Sequence, residues 1–255
     1  MEHDSGSRWA EPFPLHSGTE DERLLESEGL EQPGRESWRI FRIMGEFVEG
    51  FEEMAKVGRG VTIFGSARTQ PDHPEYLKCV ETARLLGEAG YGIITGGGPG
   101  IMEAANKGAR EAGVCSVGCN IELPFEQSGN EYIDVSIDFR YFFVRKTMFV
   151  KYAQAFVIFP GGFGTMDELF ESLTLIQTGK VRHFPLVLMG KDYWGGLMDW
   201  LRKTMAHEGK ISEEDMDLIL FTDDPEECRD HIVHRLEQRK AILEGKLPSD
   251  WKPPR

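Results

Sequence analysis

The sequence has no apolar stretch near the roughly 18 residues that a membrane-spanning helix needs, so no membrane partner is expected. Its leading residues, M-E-H-D-S-G-S-R-W, lack a basic region followed by an apolar one. No secretory signal is therefore expected, and the cytoplasm is the expected compartment. There is no C-x-x-C and no His/Cys cluster with zinc spacing, so neither a metal nor a metal-assisted reaction is expected. No G-K-[ST] follows a glycine-rich turn, which excludes a P-loop. Positive charge is scarce: 29 Lys and Arg stand against 43 Asp and Glu, a net charge of −14. A chain this acidic offers no basic face for a phosphate backbone, and no nucleic-acid partner is expected. A small anion such as a nucleotide remains compatible, because it answers to local dipoles more than to net charge.

The four cysteines stand at Cys79, Cys115, Cys119 and Cys228. Cys115 and Cys119 fall in the strand-like run V-C-S-V-G-C-N-I, where four residues span about 13 Å. A disulfide needs Cα atoms within about 7 Å, so these two cannot pair in a strand. Buried thiols are expected.

The 255 residues suffice for a large core, and 40% hydrophobic with 28% charged content is ordinary for a globular chain. Residues 1–35 are rich in Glu, Pro, Gly and Ser and read as an acidic, disordered or loosely docked tail. Residues 1–36 carry ten acidic and three basic side chains, half of the net charge. Across 36–57, Ile40, Met44, Phe47, Phe51 and Met54 recur at helical spacing and predict an amphipathic helix. It would cap the domain or pack in a dimer. Residues 58–244 form the main domain and 245–255 a C-terminal tail.

From Val61 onward, short apolar runs alternate with helical patterns. V-T-I-F-G-S, Y-G-I-I-T, V-C-S-V-G-C-N-I, A-F-V-I-F, F-P-L-V-L-M-G and Leu218–Thr222 read as strands, with 123–138 as a loop. The alternation predicts a single α/β domain: a Rossmann-like, doubly wound parallel sheet with helices on both faces. Ligands in such folds sit at the C-terminal ends of the strands.

Three segments fall at that edge. The first is a pair of small-residue turns, Gly65–Ser66–Ala67–Arg68 and Thr95–Gly100, with Ser66, Gly97 and Gly98 as candidate ligand contacts. The second turn does not match G-x-G-x-x-G followed by a ribose-binding acid, and either turn could serve only as a tight connection. The second segment is P-G-G-F-G-T-M-D-E, residues 160–168, directly after the strand A-F-V-I-F. The turn through Gly162, Phe163 and Gly164 would lead into a helix opening at Thr165, whose free N–H groups attract a phosphate. Glu168 would stand beside whatever the phosphate carries. The bland alternative is a capping box in which Thr165 caps the helix and Glu168 folds back onto it. Asp167 and Glu171 read as solvated acids of the same helix. The third segment is Y-F-F-V-R-K-T-M-F-V-K-Y, an apolar helix with Arg145 and Lys146 adjacent. Both either snorkel to water or reach the site, where Arg suits bidentate recognition of phosphate or a base edge.

With these residues together, the chain resembles the Lonely Guy (LOG) family, whose members are often labelled lysine decarboxylases. The family hallmark P-G-G-x-G-T-x-x-E is met from Pro160 to Glu168, and an Arg-Lys pair precedes that Glu at Arg145 and Lys146. G-G-G-P-G-I-M-E-A, residues 96–104, also matches. The resemblance covers roughly residues 60–222 and implies hydrolysis of the N-glycosidic bond of nucleoside 5′-monophosphates. The substrate would be cytokinin riboside monophosphate, AMP or both, and the products free base and ribose 5-phosphate. It further implies catalytic roles for Arg145 and Glu168, phosphate binding at Gly162–Thr165, pocket positions at Lys146 and Thr174, a less secure match at Glu126, no cofactor, and a homodimer or larger homo-oligomer. Where plant-type members carry Met-His, this chain has Phe142 and Phe143, and its long leading segment is similar to the longer bacterial form. The competing readings are a non-catalytic nucleotide-binding or sensing protein on the same scaffold, and a single-stranded nucleic-acid binder, which the acidic charge disfavours. No pyridoxal phosphate motif supports a decarboxylase.

Overall fold

Seven short strands run parallel in one sheet, in the spatial order β4-β3-β2-β1-β5-β6-β7. They are β1 (Gly60–Phe64), β2 (Gly92–Thr95), β3 (Ser116–Ile121), β4 (Val135–Phe139), β5 (Ala153–Ile158), β6 (Leu186–Met189) and β7 (Ile219–Thr222). The computed structural model describes residues 18–25, 35–123, 129–181 and 184–246. Among these residues eight α-helices accompany the strands: α1 (Glu20–Leu25), α2 (Arg35–Met54), α3 (Pro74–Glu88), α4 (Ile101–Glu111), α5 (Phe142–Tyr152), α6 (Phe163–Gln177), α7 (Lys191–Trp200) and α8 (Pro225–Leu243). The expected Rossmann-like α/β architecture is what the chain adopts.

The inner strands are largely apolar, with Thr62, Thr95 and Ser116 also buried, because both sheet faces are covered. On one face Val61, Ile63, Ile93, Ala155 and Val157 pack with Cys79, Leu86, Ile101, Ala105 and Ile232 of α3, α4 and α8. On the other, Phe64, Ile94, Val117, Phe156 and Ile158 meet Met54, Val144, Met148, Phe149, Leu169 and Trp194. Phe64 stands edge-on to Phe149 and Phe156, with centroids 5.1 and 5.2 Å away. Such pairs contribute about 1 kcal/mol beyond their buried area. Proline opens α3 and α8, each preceded by a capping side chain, His73 and Asp224.

Three features differ from the sequence expectations. Strand β4 begins inside the span read as a loop and ends one residue past it; Val135, Ile137 and Phe139 alternate with Ser136 and Asp138, but the run is short and half exposed at the sheet edge. Helix α6 opens at Phe163, two residues before Thr165, because Gly162 provides the extended N-cap conformation. The alternative of a Thr165–Glu168 capping box is therefore absent: Gly162 is the N-cap and makes no side-chain cap bond. Of the acidic leading segment, read as disordered or loosely docked, the described residues 18–25 include α1, which is docked with Glu20 buried. Helix α2 turns Phe47 and Met54 inward but exposes Ile40, Met44 and Phe51, so the residues read as one face divide between two. All four cysteines are free thiols, three of them buried. No helix among the described residues is long and apolar enough to cross a membrane.

Candidate active site

Strand order reverses at β1, which pairs with β2 on one side and β5 on the other. The loops leaving these strands diverge there and leave a crevice, the usual ligand position in an open parallel sheet. Backbone bonds fix the three loops to one another. The Ser66 N–H donates to the Pro160 carbonyl at 2.9 Å, and the Ile101 N–H donates to the Ser66 carbonyl at 3.0 Å. Ser66 thus enters the site through its main chain, while its hydroxyl accepts from the Arg68 N–H. A Cβ on Gly100, which has φ +69°, would overlap the Ser66 carbonyl, so only glycine permits this contact.

Gly162 and Gly164 have open space where a side chain would stand, and both are exposed together with Phe163. The first N–H groups of α6 therefore face a gap that an anion can enter. Thr165 is buried against Gly161, whose carbonyl accepts from the Tyr193 hydroxyl at 2.7 Å. That bond holds the glycine turn in place from α7.

Glu168, one turn further on, is 9% exposed, and its Oε2 is buried without a hydrogen-bond partner. Burial pushes its carboxyl up to about 7, with the Lys146 and Arg145 charges opposing the rise and Glu171 and Asp167 adding to it. A carboxylic acid poised near neutrality can hold or release a proton at working pH. Lys146 lies between acids of α6, with Nζ 2.8 Å from Asp167 Oδ2 and 2.9 Å from Glu171 Oε2. The two residues read as solvated acids thus tie α5 to α6.

Arg145 crosses the crevice. Its Nε–H donates to the Cys119 carbonyl at 2.8 Å, an Nη2–H donates to the Gly96 carbonyl at 3.4 Å, and the guanidinium lies 5.1 Å from the Phe149 ring centroid. Burial lowers its pKa, which the neighbouring Cys119 and Glu168 partly counter. Gly97 (φ +75°) and Gly98 form the turn after β2, and the Asn130 amide donates to both carbonyls at 3.2 and 3.0 Å.

The structure brings Arg145, Lys146 and Glu168 within electrostatic reach of one another, sets Arg145 on Gly96, and ties the Ser66 turn to the turns at Pro160 and Ile101 along the same sheet edge. Thr174 is not among them: it lies six residues beyond Glu168, about 120° round the helix and 9 Å along it, exposed, with its hydroxyl on the Phe170 carbonyl. Glu126 lies outside the described residues. Sequence reading missed Asn130, Asn106 and Tyr193, which support the loops without touching the crevice themselves. Asn106 was visible as the sole polar side chain on the apolar face of the A-A-N stretch.

Residues 102–243 match the family model described as "Possible lysine decarboxylase". A probable cytokinin riboside 5′-monophosphate phosphoribohydrolase of Oryza sativa subsp. japonica is 27% identical over 203 residues, covering 76% of this chain and 86% of the relative. A cytokinin riboside 5′-monophosphate phosphoribohydrolase of Mycobacterium tuberculosis is 30% identical over 159 residues, covering 60% of this chain and 83% of the relative. A structural-genomics X-ray structure superposes with a TM-score of 0.52 at 23% identity, covering 69% of this chain and 99% of the other. The molybdenum cofactor carrier protein of Chlamydomonas reinhardtii does so at 0.51 and 18%, covering 71% and 99%. These two likenesses are of fold alone. The hallmark motifs, the relatives and the family match agree: the chain belongs to the LOG family, the one described as possible lysine decarboxylase.

Proposed function

We propose that this protein hydrolyses the N-glycosidic bond of nucleoside 5′-monophosphates, adding water and releasing free base and ribose 5-phosphate. Cytokinin riboside monophosphates, AMP or both are the substrates. The observation that carries this reading is the buried carboxyl of Glu168, with one oxygen unpartnered, beside an open glycine-lined helix N-terminus and the guanidinium of Arg145. Breaking the ribosyl C–N bond builds positive charge on the sugar, which an ionised Glu168 stabilises or meets by activating water. The departing base gathers negative charge, which Arg145 offsets. Gly162–Thr165 hold the 5′-phosphate, and that remote binding energy places the sugar over Glu168. Lys146 keeps the ionised form of Glu168 accessible. Thr174 and Glu126 are assigned to substrate by family resemblance alone.

A second copy of the chain completes the assembly. Trp38, Phe41, Met44, Val48 and Phe51 form an exposed stripe along α2, repeating every three or four residues. A helix of 20 residues is about 30 Å long, enough for a self-complementary two-fold contact. A like-charged partner is repelled less by an apolar stripe than by the acidic surface elsewhere.

The test is chromatographic product analysis with AMP and isopentenyladenosine 5′-monophosphate, using wild type and Glu168→Ala. Base and ribose 5-phosphate released by wild type alone establish the reaction, and the faster substrate gives the specificity. Thermal protection by both nucleotides without cleavage would favour the non-catalytic binding reading.

A further inference from the structure

Arg145 closes the first turn of α5, and the start of that helix is capped by groups that α5 does not own. Its N-cap residue, Tyr141, makes no side-chain cap bond. Instead the Phe142 N–H donates to Asp21 Oδ2 at 3.0 Å, and the Arg140 and Tyr141 N–H groups donate to Glu46 Oε1 at 3.0 and 3.1 Å. The Tyr141 hydroxyl donates to Glu20 Oε2 at 3.2 Å, and Glu20 is itself held by Arg23 and Arg42. Tyr141 is thereby fixed at both its amide and its phenol. Its carbonyl accepts the Arg145 N–H at 3.2 Å, the first backbone bond of the helix. Helix α2 packs closely over the same region: a side chain on Gly50 would press on Met148 and Phe139, and the Phe47 and Phe143 rings lie 6.5 Å apart.

We propose that Asp21 and Glu46 are positioning residues for Arg145, capping α5 from the leading segment so that its first turn presents the guanidinium to the crevice. Both lie outside the span 102–243 that matches the family model. Two carboxylates at a helix N-terminus satisfy N–H groups that have no partner within the helix and complement its dipole. Without them the turn frays, and fraying reaches Arg145 before it reaches Lys151. The phosphate cradle sits on α6, which these carboxylates do not touch.

This rests on the phosphoribohydrolase reading, in which Arg145 acts on the leaving base. The test compares Asp21→Ala, Asp21→Asn and Glu46→Ala with wild type, by steady-state kinetics on the nucleotide that wild type cleaves and by hydrogen exchange of the amides of residues 141–145. Asp21→Ala is expected to lower kcat roughly tenfold with KM little changed, and to speed exchange in that turn. Asp21→Asn, which keeps an acceptor, restores most of both. Glu46→Ala should act in the same direction. A folded Asp21→Ala with wild-type kcat and unchanged exchange would overturn the proposal, as would a rise in KM with kcat constant. If wild type cleaves no nucleotide, the function assignment fails by itself. Exchange at Phe142 then decides the cap: unchanged protection in Asp21→Ala sinks it.

Discussion

Gly96 and Arg145 are in contact such that a Cβ on Gly96 would overlap Nη2 of the guanidinium, which donates to the Gly96 carbonyl. The glycine is required by a side chain 49 residues away, not by its own φ. Gly96→Ala should therefore fold normally yet displace Arg145. A misplacement of about 1 Å can cost about 10²-fold in rate. The expected result is a kcat reduced about 10²-fold with nucleotide binding retained, read by kinetics beside thermal protection.

Glu168 stores free energy against the fold. Its folded pKa of about 7 lies above the ordinary 4.5, so the folded state retains a proton that the unfolded state releases. Its contribution is most favourable below pH 4.5 and is lost as pH rises through about 7. Relative to wild type, Glu168→Gln should gain nothing at low pH and on the order of 3 kcal/mol above neutrality. Urea denaturation of both proteins at about pH 5 and about pH 8 checks the sign; a gap that narrows with rising pH would refute it.

On the proposed reading the same carboxyl sets the pH–rate profile. If the ionised form is active, kcat/KM rises to a plateau with an apparent pKa near 7. The Lys146 charge is the largest influence lowering that value, and it also neutralises Asp167 and Glu171. Lys146→Met should move the rising limb to higher pH, with the plateau rate less affected.

Asn106 is fully buried in a satisfied network. Its amide donates to Ser116 Oγ and the Val117 carbonyl, and its Oδ1 accepts from Thr95 Oγ1 and from Asn130. Asn106→Ala strands several buried polar groups at about 1–3 kcal/mol each. A stability loss of about 3 kcal/mol or more is expected by denaturant titration. Loosening of the Gly97–Gly98 turn should also raise KM.

On α2, Phe41 is 63% exposed within the apolar stripe. Phe41→Asp should convert the assembly to monomers without lowering the melting temperature of the subunit, as read by light scattering on a sizing column. A wild type that is already monomeric would remove the α2 interface.

The strand–turn–helix units around the site were legible because each carries its own signal. The glycine turn from Gly161 to Gly164 follows an apolar run, and the Arg145–Lys146 pair interrupts an apolar helix. Strand β4 was overlooked because an edge strand of five residues with one polar face differs little from a loop. The start of α6 was misplaced since Thr165 is a good cap by type, while the extended backbone of Gly162 takes that place. Glu168 was named from its position in the motif. Its raised pKa was not readable, since desolvation depends on what α5 and the sheet lay over it.

Periodicity and local turn chemistry, which act over a few residues, were enough for the sequence to determine the parallel α/β sheet, the crevice edge and the residue types at the site. Partnerships between distant residues were decided only by the tertiary structure: Arg145 against Gly96, Lys146 between Asp167 and Glu171, and Asp21 and Glu46 on the first turn of α5. Each joins segments distant in the chain, and their spacing and burial are set only when the elements that carry them pack together.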